Sequence, residues 1–250
     1  MANTIDRVLN REWFYSYELP DGRRTATYHG GSLDAIHDTR WSMLESALAG
    51  HFHGEFGGLT AIDLACHQGY FAVKLAMAGF SAVSAVDARQ NHVDDSRLIT
   101  EAYSLSNLNV AQSDIFDLDS TIVGQFDVVL MLGLLYHLEN PVGALRIARS
   151  LCRNCCVIET QVVPGLSGYV DYGSYQFVRP LKGSFGIIDE TDETHGPEAS
   201  ITGICLVPSL DALLWTLHKV GFNQVKLIEP PPDAYEQHLH HKRVMVVASV

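Results

Sequence analysis

The sequence lacks any apolar run of the roughly 18 residues that a membrane-spanning helix requires. Its opening residues, MANTIDRVLNREWF, are polar where a signal peptide would be apolar, so we expect a cytoplasmic protein. Cysteine is scarce as well, and its five positions show no repeated spacing, which favours reduced thiols. Cys152 and Cys155 form a CxxC pair, but Cys156 leads directly into the apolar residues VIE. A buried strand explains this cluster better than zinc or redox chemistry, and we expect no metal site.

Positively charged residues are also few. Lys and Arg number 17 against 29 Asp and Glu, which gives a formal net charge of -12. A field of that sign repels polyphosphates, so a nucleic-acid partner is disfavoured. A local basic patch stays open as an alternative, because the first forty residues contain Arg7, Arg11, Arg23, Arg24 and Arg40. We expect most of these arginines to lie on the solvated surface.

The sequence does contain 47% hydrophobic residues, enough for one sizeable core. From residue 59 to 160, short apolar runs alternate with amphipathic stretches, which is typical of parallel βαβ units. Asn140 with Pro141 and Pro208 with Ser209 predict helix starts. The predicted fold is α/β, with a doubly wound, mostly parallel sheet and helices on both faces. Its seven predicted strands are 59–65, 80–88, 108–116, 125–135, 155–163, 223–230 and 242–250.

The stretch DLACHQG at 63–69 lies where the first predicted strand turns into a helix, a position that presents backbone N–H groups to a ligand. Two of the three glycine places of a full fingerprint hold Ala65 and His67. Asp63 lies near the end of the first predicted strand, Asp87 ends the second and Asp114 ends the third. Any one of the three alone could simply cap a helix or turn. Together they converge on the crevice where open α/β sheets bind ligands, so we predict a ligand site there.

In these motifs the chain resembles the class I methyltransferase superfamily over about 59–160. DLACHQG stands for motif I, VDA for the ribose acid, SDIF for the adenine strand and FDVVLMLGLLYHLENP for motif IV. The resemblance implies a Rossmann-like fold and S-adenosyl-L-methionine as the cofactor. The cofactor-binding residues that it implies are Asp63, Ala65, Cys66, His67 and Gly69 beside the methionine moiety, Asp87 and Ala88 at the ribose, Asp114 and Ile115 at the adenine, and Leu132.

A looser resemblance covers nearly the whole chain and points to methyltransferases related to tRNA wobble-uridine (carboxy)methyl transferase. Its pieces are WFYSYELPDG, LLYHLENP, VIET, VPSLDALLWTLHKVGFNQV and KRVMVVAS. It does not fix the acceptor, because such branches contain both RNA-directed and small-molecule enzymes. We expect O- or N-methylation of a small-molecule acceptor. The alternatives are a tRNA-modifying (carboxy)methyltransferase and a non-catalytic protein that binds adenosylmethionine. An NAD-dependent oxidoreductase would normally show the glycines that this loop lacks.

Tyr136 and His137 follow the fourth predicted strand and face the crevice where an acceptor would meet the methyl group. They are the first catalytic candidates, because a histidine, with an ordinary pKa of about 6.5, can take a proton from a hydroxyl near neutral pH. A scaffold role, in which His137 holds the loop by hydrogen bonds, is an equal alternative. Glu159, at the end of the fifth strand, is a further candidate to bind or deprotonate the acceptor, and capping of the following loop is the alternative there.

The resemblance and the alternation together divide a single domain into four parts. Residues 1–45 form an N-terminal cover, 59–163 the cofactor-binding core, 164–205 an acceptor-side insertion, and 206–250 a C-terminal helix and strands. The insertion is rich in aromatic residues, which predicts an ordered cover over the acceptor rather than a disordered linker. The predicted substrate-binding residues are Tyr136, Glu159, Tyr172, Tyr175 and Arg179. The polar loop with His238, His240 and His241 is expected to be solvent-exposed rather than metal-binding.

Overall fold

The computed structural model describes residues 2–170, 173, 179–190, 200 and 202–250. In chain order its strands are β1 (Glu12–Trp13), β2 (Ala26–Thr27), β3 (Thr60–Leu64), β4 (Ala82–Asp87), β5 (Leu108–Gln112), β6 (Phe126–Leu132), β7 (Cys152–Gln161), β8 (Phe185–Asp189), β9 (Ile204–Pro208), β10 (Gln224–Ile228) and β11 (Arg243–Ser249). Its helices are α1 (Ala2–Leu9), α2 (Asp34–Phe52), α3 (Tyr70–Met77), α4 (Gln90–Ala102), α5 (Ser120–Val123), α6 (Pro141–Leu151), α7 (Leu210–Val220) and α8 (Glu236–Leu239).

Seven of these strands form a central sheet in the order β10-β11-β7-β6-β3-β4-β5. Strand β11 runs antiparallel to both of its neighbours, and the remaining pairs are parallel. The chain builds outward from β3 to β5, then crosses to β6 on the other side of β3. The carboxyl ends of β3, β4, β5 and β6 therefore meet at one edge, beside a switch point of the kind where open α/β sheets bind ligands. The predicted doubly wound fold is confirmed.

The alternation in the sequence corresponds closely to the observed elements. The fourth predicted strand, 125–135, contains β6, and the residues from Val128 to Leu132 are all buried there. Asn140 caps α6 by accepting a hydrogen bond from Gly143 N–H, and Ser209 caps α7 by accepting one from Ala212 N–H. Such caps satisfy N–H groups that a helix start would otherwise leave without partners. Both predicted helix starts are confirmed.

Helices cover both faces of the sheet and bury two apolar clusters against it. Leu75 of α3 and Val93 of α4 belong to the cluster on one face, which also includes apolar residues from the N-terminal segment. Leu145 of α6 and Leu213 of α7 belong to the cluster on the other face. All four side chains are at most 1% exposed. Each such burial stabilises the fold by about 1.5–3 kcal/mol, so these contacts hold the ligand-binding edge in place.

Two segments outside the sheet shape its carboxyl edge. The 19-residue helix α2 lies in the chain between the N-terminal strands and β3. Strand β8, inside the predicted insertion, pairs antiparallel with β9, which begins at the end of the insertion and runs beyond it. The sequence pattern did not predict this pair. Leu206 N–H donates to Leu138 O at 2.9 Å, which joins this pair to the turn after β6. Among the described residues, no helix combines the length and the apolar character needed to cross a membrane.

Candidate active site

A cleft of about 680 Å³ opens at the carboxyl edge of the sheet. The turns that follow β3, β4, β5 and β6 all contribute to its wall, through Ala65, Ala88, Ser113 and Gly133 respectively. Because these turns flank the switch point between β3 and β6, the cleft lies where the sequence predicted a ligand site. Its volume is in the range of about 300–1,000 Å³ that is common for small-molecule sites.

The predicted cofactor-binding residues divide into two groups. Those that line the cleft are Ala65, His67, Asp87, Ala88, Asp114, Ile115 and Leu132. Asp63, Cys66 and Gly69 are buried and lie outside the described lining. Contact of these three residues with the cofactor stays a prediction. The individual contacts to ribose and adenine stay predictions.

The loop between β3 and α3 adopts left-handed backbone conformations at all three glycine places of the motif. The φ angles are 57° at Ala65, 51° at His67 and 84° at Gly69. A residue with a side chain adopts this region at a cost of roughly 1–2 kcal/mol, so the loop keeps the geometry of a glycine loop despite the two replacements. At Gly69 an added Cβ would collide with Ser96 Oγ, so the Ser96 side chain would have to move to admit any other residue.

Asp87 connects this loop to the end of β4. Its Oδ2 accepts a hydrogen bond from His67 N–H at 2.9 Å, and its Oδ1 accepts from Arg89 N–H at 2.9 Å. His92 Nδ1 lies 3.2 Å from Oδ1. Burial opposes ionisation of this carboxyl, but the His92 side chain and the two N–H donors outweigh it and lower the pKa of Asp87. The carboxylate is thus ionised and held in one orientation at the cleft wall.

Asp63 lies in β3, two residues before Ala65, and its ionisation differs from that of Asp87. It is 2% exposed, and its Oδ2 has no hydrogen-bond partner among the described residues. Burial raises the pKa of Asp63 to about 7, Arg40 opposes this increase, and Asp87 adds to it. This carboxyl therefore holds its proton up to near-neutral pH. It contributes to the electrostatics beneath the cleft and does not form part of its wall.

The N-terminal segment closes one side of the cleft and is fastened to the loop through Gln68. Phe14 N–H donates to Gln68 Oε1 at 2.7 Å, and Tyr17 OH donates to Gln68 O at 2.8 Å. Gln68 Nε2 in turn donates to Asp95 Oδ2 on α4 at 3.0 Å. The N-terminal residues on the cleft wall are Phe14, Tyr15, Tyr28, Leu33 and Arg40. The position of this cover is thus linked to the motif loop itself.

Tyr136 and His137, the first catalytic candidates, both line the cleft. They lie in the helical turn Leu135–His137 that directly follows β6. His137 Nδ1 is 2.6 Å from Glu190 Oε2, and Glu190 itself is 2% exposed. Burial opposes ionisation of Glu190, but hydrogen bonds from His137, Cys205 and the Ser200 N–H outweigh it and lower the pKa of this carboxyl. The sequence reasoning missed Glu190, which lies in the acidic stretch DETDE.

Glu159 does not lie on the acceptor side of the cleft, where the sequence predicted it. The structure places it inside the molecule, 0% exposed, and not on the cleft wall. Its Oε1 accepts from Arg243 Nη1 at 3.0 Å and lies 3.4 Å from His238 Nε2, while Oε2 lies 3.2 Å from Arg40 Nη2. Burial opposes ionisation, but Arg243 and Arg40 outweigh it and lower the pKa of Glu159 well below its ordinary value. A carboxylate held in this way is a poor base, and it cannot contact an acceptor in the cleft.

The two arginines around Glu159 do reach the cleft wall, and the sequence reasoning missed this. Arg40, which was grouped with the arginines expected on the surface, is 5% exposed, and Arg243 is 7% exposed. Arg243 Nη2 donates to Tyr136 OH at 3.1 Å, and its guanidinium lies 4.8 Å from the centre of that ring. At Gly133 an added Cβ would lie 2.8 Å from Arg40 Nη2. The cleft wall therefore carries two guanidinium groups, of which that of Arg243 contacts Tyr136.

Tyr172 and Tyr175 lie outside the described residues. Arg179 is exposed and is not among the described residues of the cleft wall. His238 was expected to be solvent-exposed but is 1% exposed beside Glu159, because the short helix α8 turns it inward. Among the described residues, no group of three or more His, Cys, Asp or Glu side chains could hold a metal ion.

Part of the chain is similar to known methyltransferases. Residues 55–162 match a model described as a methyltransferase domain. The tRNA U34 carboxymethyltransferase of Desulfotalea psychrophila is 24% identical over 202 residues, which are 80% of this chain and 55% of that protein. The enzyme of the same name from Methylococcus capsulatus is 26% identical over 213 residues, 84% of this chain and 57% of that protein. The chain thus spans about half the length of these relatives.

A solved structure extends the likeness to the whole chain. The N-terminal domain of EvdMO1, crystallised in the presence of SAH and D-fucose, has a TM-score of 0.67 and 18% sequence identity. The match covers 100% of this chain and 94% of that one. At this identity the likeness shows the fold. Three features of this edge fit an adenosyl cofactor. They are the left-handed loop, the close approach of Ser96 to Gly69, and the oriented carboxylate of Asp87.

Proposed function

We propose that the chain, whose residues 55–162 match a methyltransferase domain, is an S-adenosylmethionine-dependent methyltransferase that methylates a small-molecule acceptor bound beside Tyr136 and His137. The observation that carries this proposal is that one cleft joins both halves of the site. Asp87 and Asp114, on the predicted cofactor side, line the same cavity as Tyr136 and His137. The bound cofactor supplies an electrophilic methyl group on a positively charged sulfur. The protein supplies orientation, because methyl transfer requires an in-line approach of the acceptor.

Each side of the cleft has its own task in this proposal. The loop at Ala65 and His67 offers backbone groups, and the Asp87 carboxylate retains acceptor capacity for a ribose hydroxyl. Across the cleft, Phe14 and Tyr28 of the N-terminal segment exclude water from the reacting groups. Tyr136 and His137 then hold the acceptor at the end of β6. Oxygen and nitrogen acceptors both suit this arrangement.

The net charge of the chain and its likeness to EvdMO1 support a small acceptor over a polynucleotide. The net charge of -12 disfavours long-range attraction of a polyanion. The fold neighbour EvdMO1, whose N-terminal domain was crystallised with SAH and D-fucose, matches the chain over its full length. A compact hydroxylated compound is therefore the acceptor class that we propose first.

A second candidate is carboxymethyl transfer to a tRNA, as the names of the two relatives describe for those proteins. One structural observation favours it. A carboxymethyl donor carries a carboxylate close to the reacting carbon. The guanidinium groups of Arg40 and Arg243 both reach the cleft wall, where that of Arg243 contacts Tyr136. Against it, the chain spans only 55–57% of those proteins.

A transfer assay with mass analysis of the products tests both candidates. The protein is incubated with S-adenosylmethionine or, in parallel, with the analogue that carries a carboxymethyl group in place of the methyl group on sulfur. Each donor is combined, in separate reactions, with a panel of sugars, phenols and amines or with unmodified tRNA. The proposal expects a methylated small molecule and formation of S-adenosylhomocysteine. Carboxymethylated or methylated tRNA would replace it with the second candidate. Tight binding of the cofactor with no transfer to any acceptor would instead identify a non-catalytic binding protein.

A further inference from the structure

The side chain of His137 is held by a carboxylate from a distant part of the chain. Glu190 lies 53 residues later, directly after β8, and its Oε2 is 2.6 Å from His137 Nδ1. His137 lines the cleft with an exposed side-chain fraction of 18%, whereas that of Glu190 is 2%. The histidine thus faces the cleft, and its carboxylate partner is buried next to it and is not among the described residues of the cleft wall.

Several hydrogen bonds fix Glu190 in this place. Its Oε2 also accepts from Ser200 N–H at 2.9 Å and lies 3.3 Å from Cys205 Sγ. Its own N–H donates to Gly203 O at 2.9 Å. Strand β9, which carries Cys205, is in turn joined to the turn of His137 through Leu138 O. The carboxylate and the imidazole are therefore held in register by backbone contacts on both sides, which keeps their geometry before any acceptor binds.

This contact determines which nitrogen of His137 acts as the base. An ionised carboxylate only accepts hydrogen bonds, so the partner nitrogen, Nδ1, carries the proton. In the neutral ring Nε2 then carries the lone pair. A hydroxyl acceptor has to lose its proton as it attacks, while a neutral amine attacks through a lone pair that it already has. A histidine oriented in this way is therefore of most use for a hydroxyl acceptor.

We propose that Glu190 is a positioning residue that sets His137 as the general base for methylation of a hydroxyl group. The inference rests on the proposed methyl transfer. In the transfer step, the acceptor oxygen bonds to the methyl carbon as the bond from that carbon to sulfur breaks. The acceptor O–H bond breaks and its proton moves to His137 Nε2. The positive charge that is lost at sulfur is replaced by an imidazolium, which the Glu190 carboxylate stabilises.

The first test reads the tautomer of His137 directly and requires no acceptor. Histidine is labelled with ¹⁵N in the full chain, the His137 signals are assigned with His137→Asn, and spectra are recorded about two pH units above the ordinary histidine pKa of about 6.5. The wild type is expected to show the proton on Nδ1. Glu190→Leu removes the acceptor and should shift the proton toward Nε2, whereas Glu190→Gln keeps a carbonyl acceptor and should retain it. Asp189→Leu, an exposed neighbour, is the matched control.

The second test measures turnover with the hydroxyl and amine panels. With a hydroxyl acceptor, Glu190→Leu should lower kcat by about tenfold or more, leave the binding of S-adenosylhomocysteine unchanged, and be partly rescued by Glu190→Gln. An unchanged tautomer in Glu190→Leu would overturn the positioning role. Turnover with amines alone, unaffected by Glu190→Leu, would overturn the hydroxyl assignment while leaving methyl transfer intact. Absence of turnover with every acceptor would contradict the proposed function, and the tautomer would still decide the role of Glu190.

Discussion

The backbone N–H of His67 donates a hydrogen bond of 2.9 Å to the carboxylate of Asp87. This bond joins the turn after β3 to the end of β4, and it does so at a residue whose φ of 51° is uncommon for a side chain larger than hydrogen. The same carboxylate accepts from Arg89 N–H, so it fixes the turn after its own strand as well. The two turns that flank the predicted cofactor position are thus held by a single residue.

The loop geometry gives a prediction about stability. Gly69→Ala should destabilise the fold by about 1–3 kcal/mol, because the new Cβ meets Ser96 and the backbone is left-handed. Gly79→Ala is the matched control, since Gly79 has a φ of 102° with nothing near its Cβ position, and it should show only the backbone strain. Ala65→Gly relieves strain and should be neutral or stabilising by about 1 kcal/mol. Urea denaturation measures all three, and equal losses at Gly69 and Gly79 would contradict the close approach.

The buried ion cluster gives a second prediction. Glu159→Gln should lower the free energy of unfolding by about 3–5 kcal/mol at neutral pH, because Arg40 and Arg243 would lose the carboxylate that neutralises them. Glu18→Gln removes a carboxylate from an exposed pair with Arg24 and should change little.

The effect of Glu159 depends on pH with a definite sign. Its pKa in the folded state lies below the ordinary value of 4.5, so its contribution is complete above that pH and declines as the pH falls further. Chemical denaturation at a series of pH values should therefore show the gap between wild type and Glu159→Gln shrinking in acid. A gap that is the same at every pH would rule out an ionised Glu159 as its source.

At Asp63 we expect the stability of the fold to depend on pH in the opposite direction. Burial raises its pKa from 3.8 to about 7, so the unfolded chain releases this proton first and the folded state loses stability as the pH rises between these values. Asp63→Asn should match the wild type in acid and exceed its stability above neutral pH, by at most about 4 kcal/mol at about 1.4 kcal/mol for each pKa unit. Denaturation curves across this pH range check the prediction. An Asn variant that is less stable than the wild type at neutral pH would indicate an ionised Asp63 paired with Arg40.

Much of the sheet could be predicted because its signals are local. The apolar run that became β6, the Asn140 cap and the Ser209 cap each depend on a few adjacent residues, and all were recovered. Asp87 and Asp114 were recovered for a similar reason. Asp87 ends β4 and Asp114 lies two residues after the end of β5, and the topology of parallel sheets brings those strand ends to one edge.

The missed residues depend on contacts between distant segments. Glu190 lies in an acidic stretch that reads as solvated surface, and only the β8–β9 pairing carries it behind His137. Arg40 shares its local pattern with exposed arginines of the N-terminal segment, and its burial follows from the position of Glu159 on β7. Arg243 offered one usable signal. It begins a strand that is buried over nearly its whole length, and a charged residue in such a strand requires a partner.

We expect the cleft between these strand ends to bind the adenosyl cofactor through Asp87, and calorimetry with S-adenosylhomocysteine measures this binding. The wild type should bind, and Asp87→Ala should bind at least about tenfold more weakly, since a hydrogen bond to a charged group contributes roughly 1.5–3 kcal/mol. Asp94→Ala, an exposed carboxylate on α4, should bind as the wild type does. All three proteins are first shown to be folded by denaturation. Unchanged affinity in a folded Asp87→Ala protein would contradict the assignment.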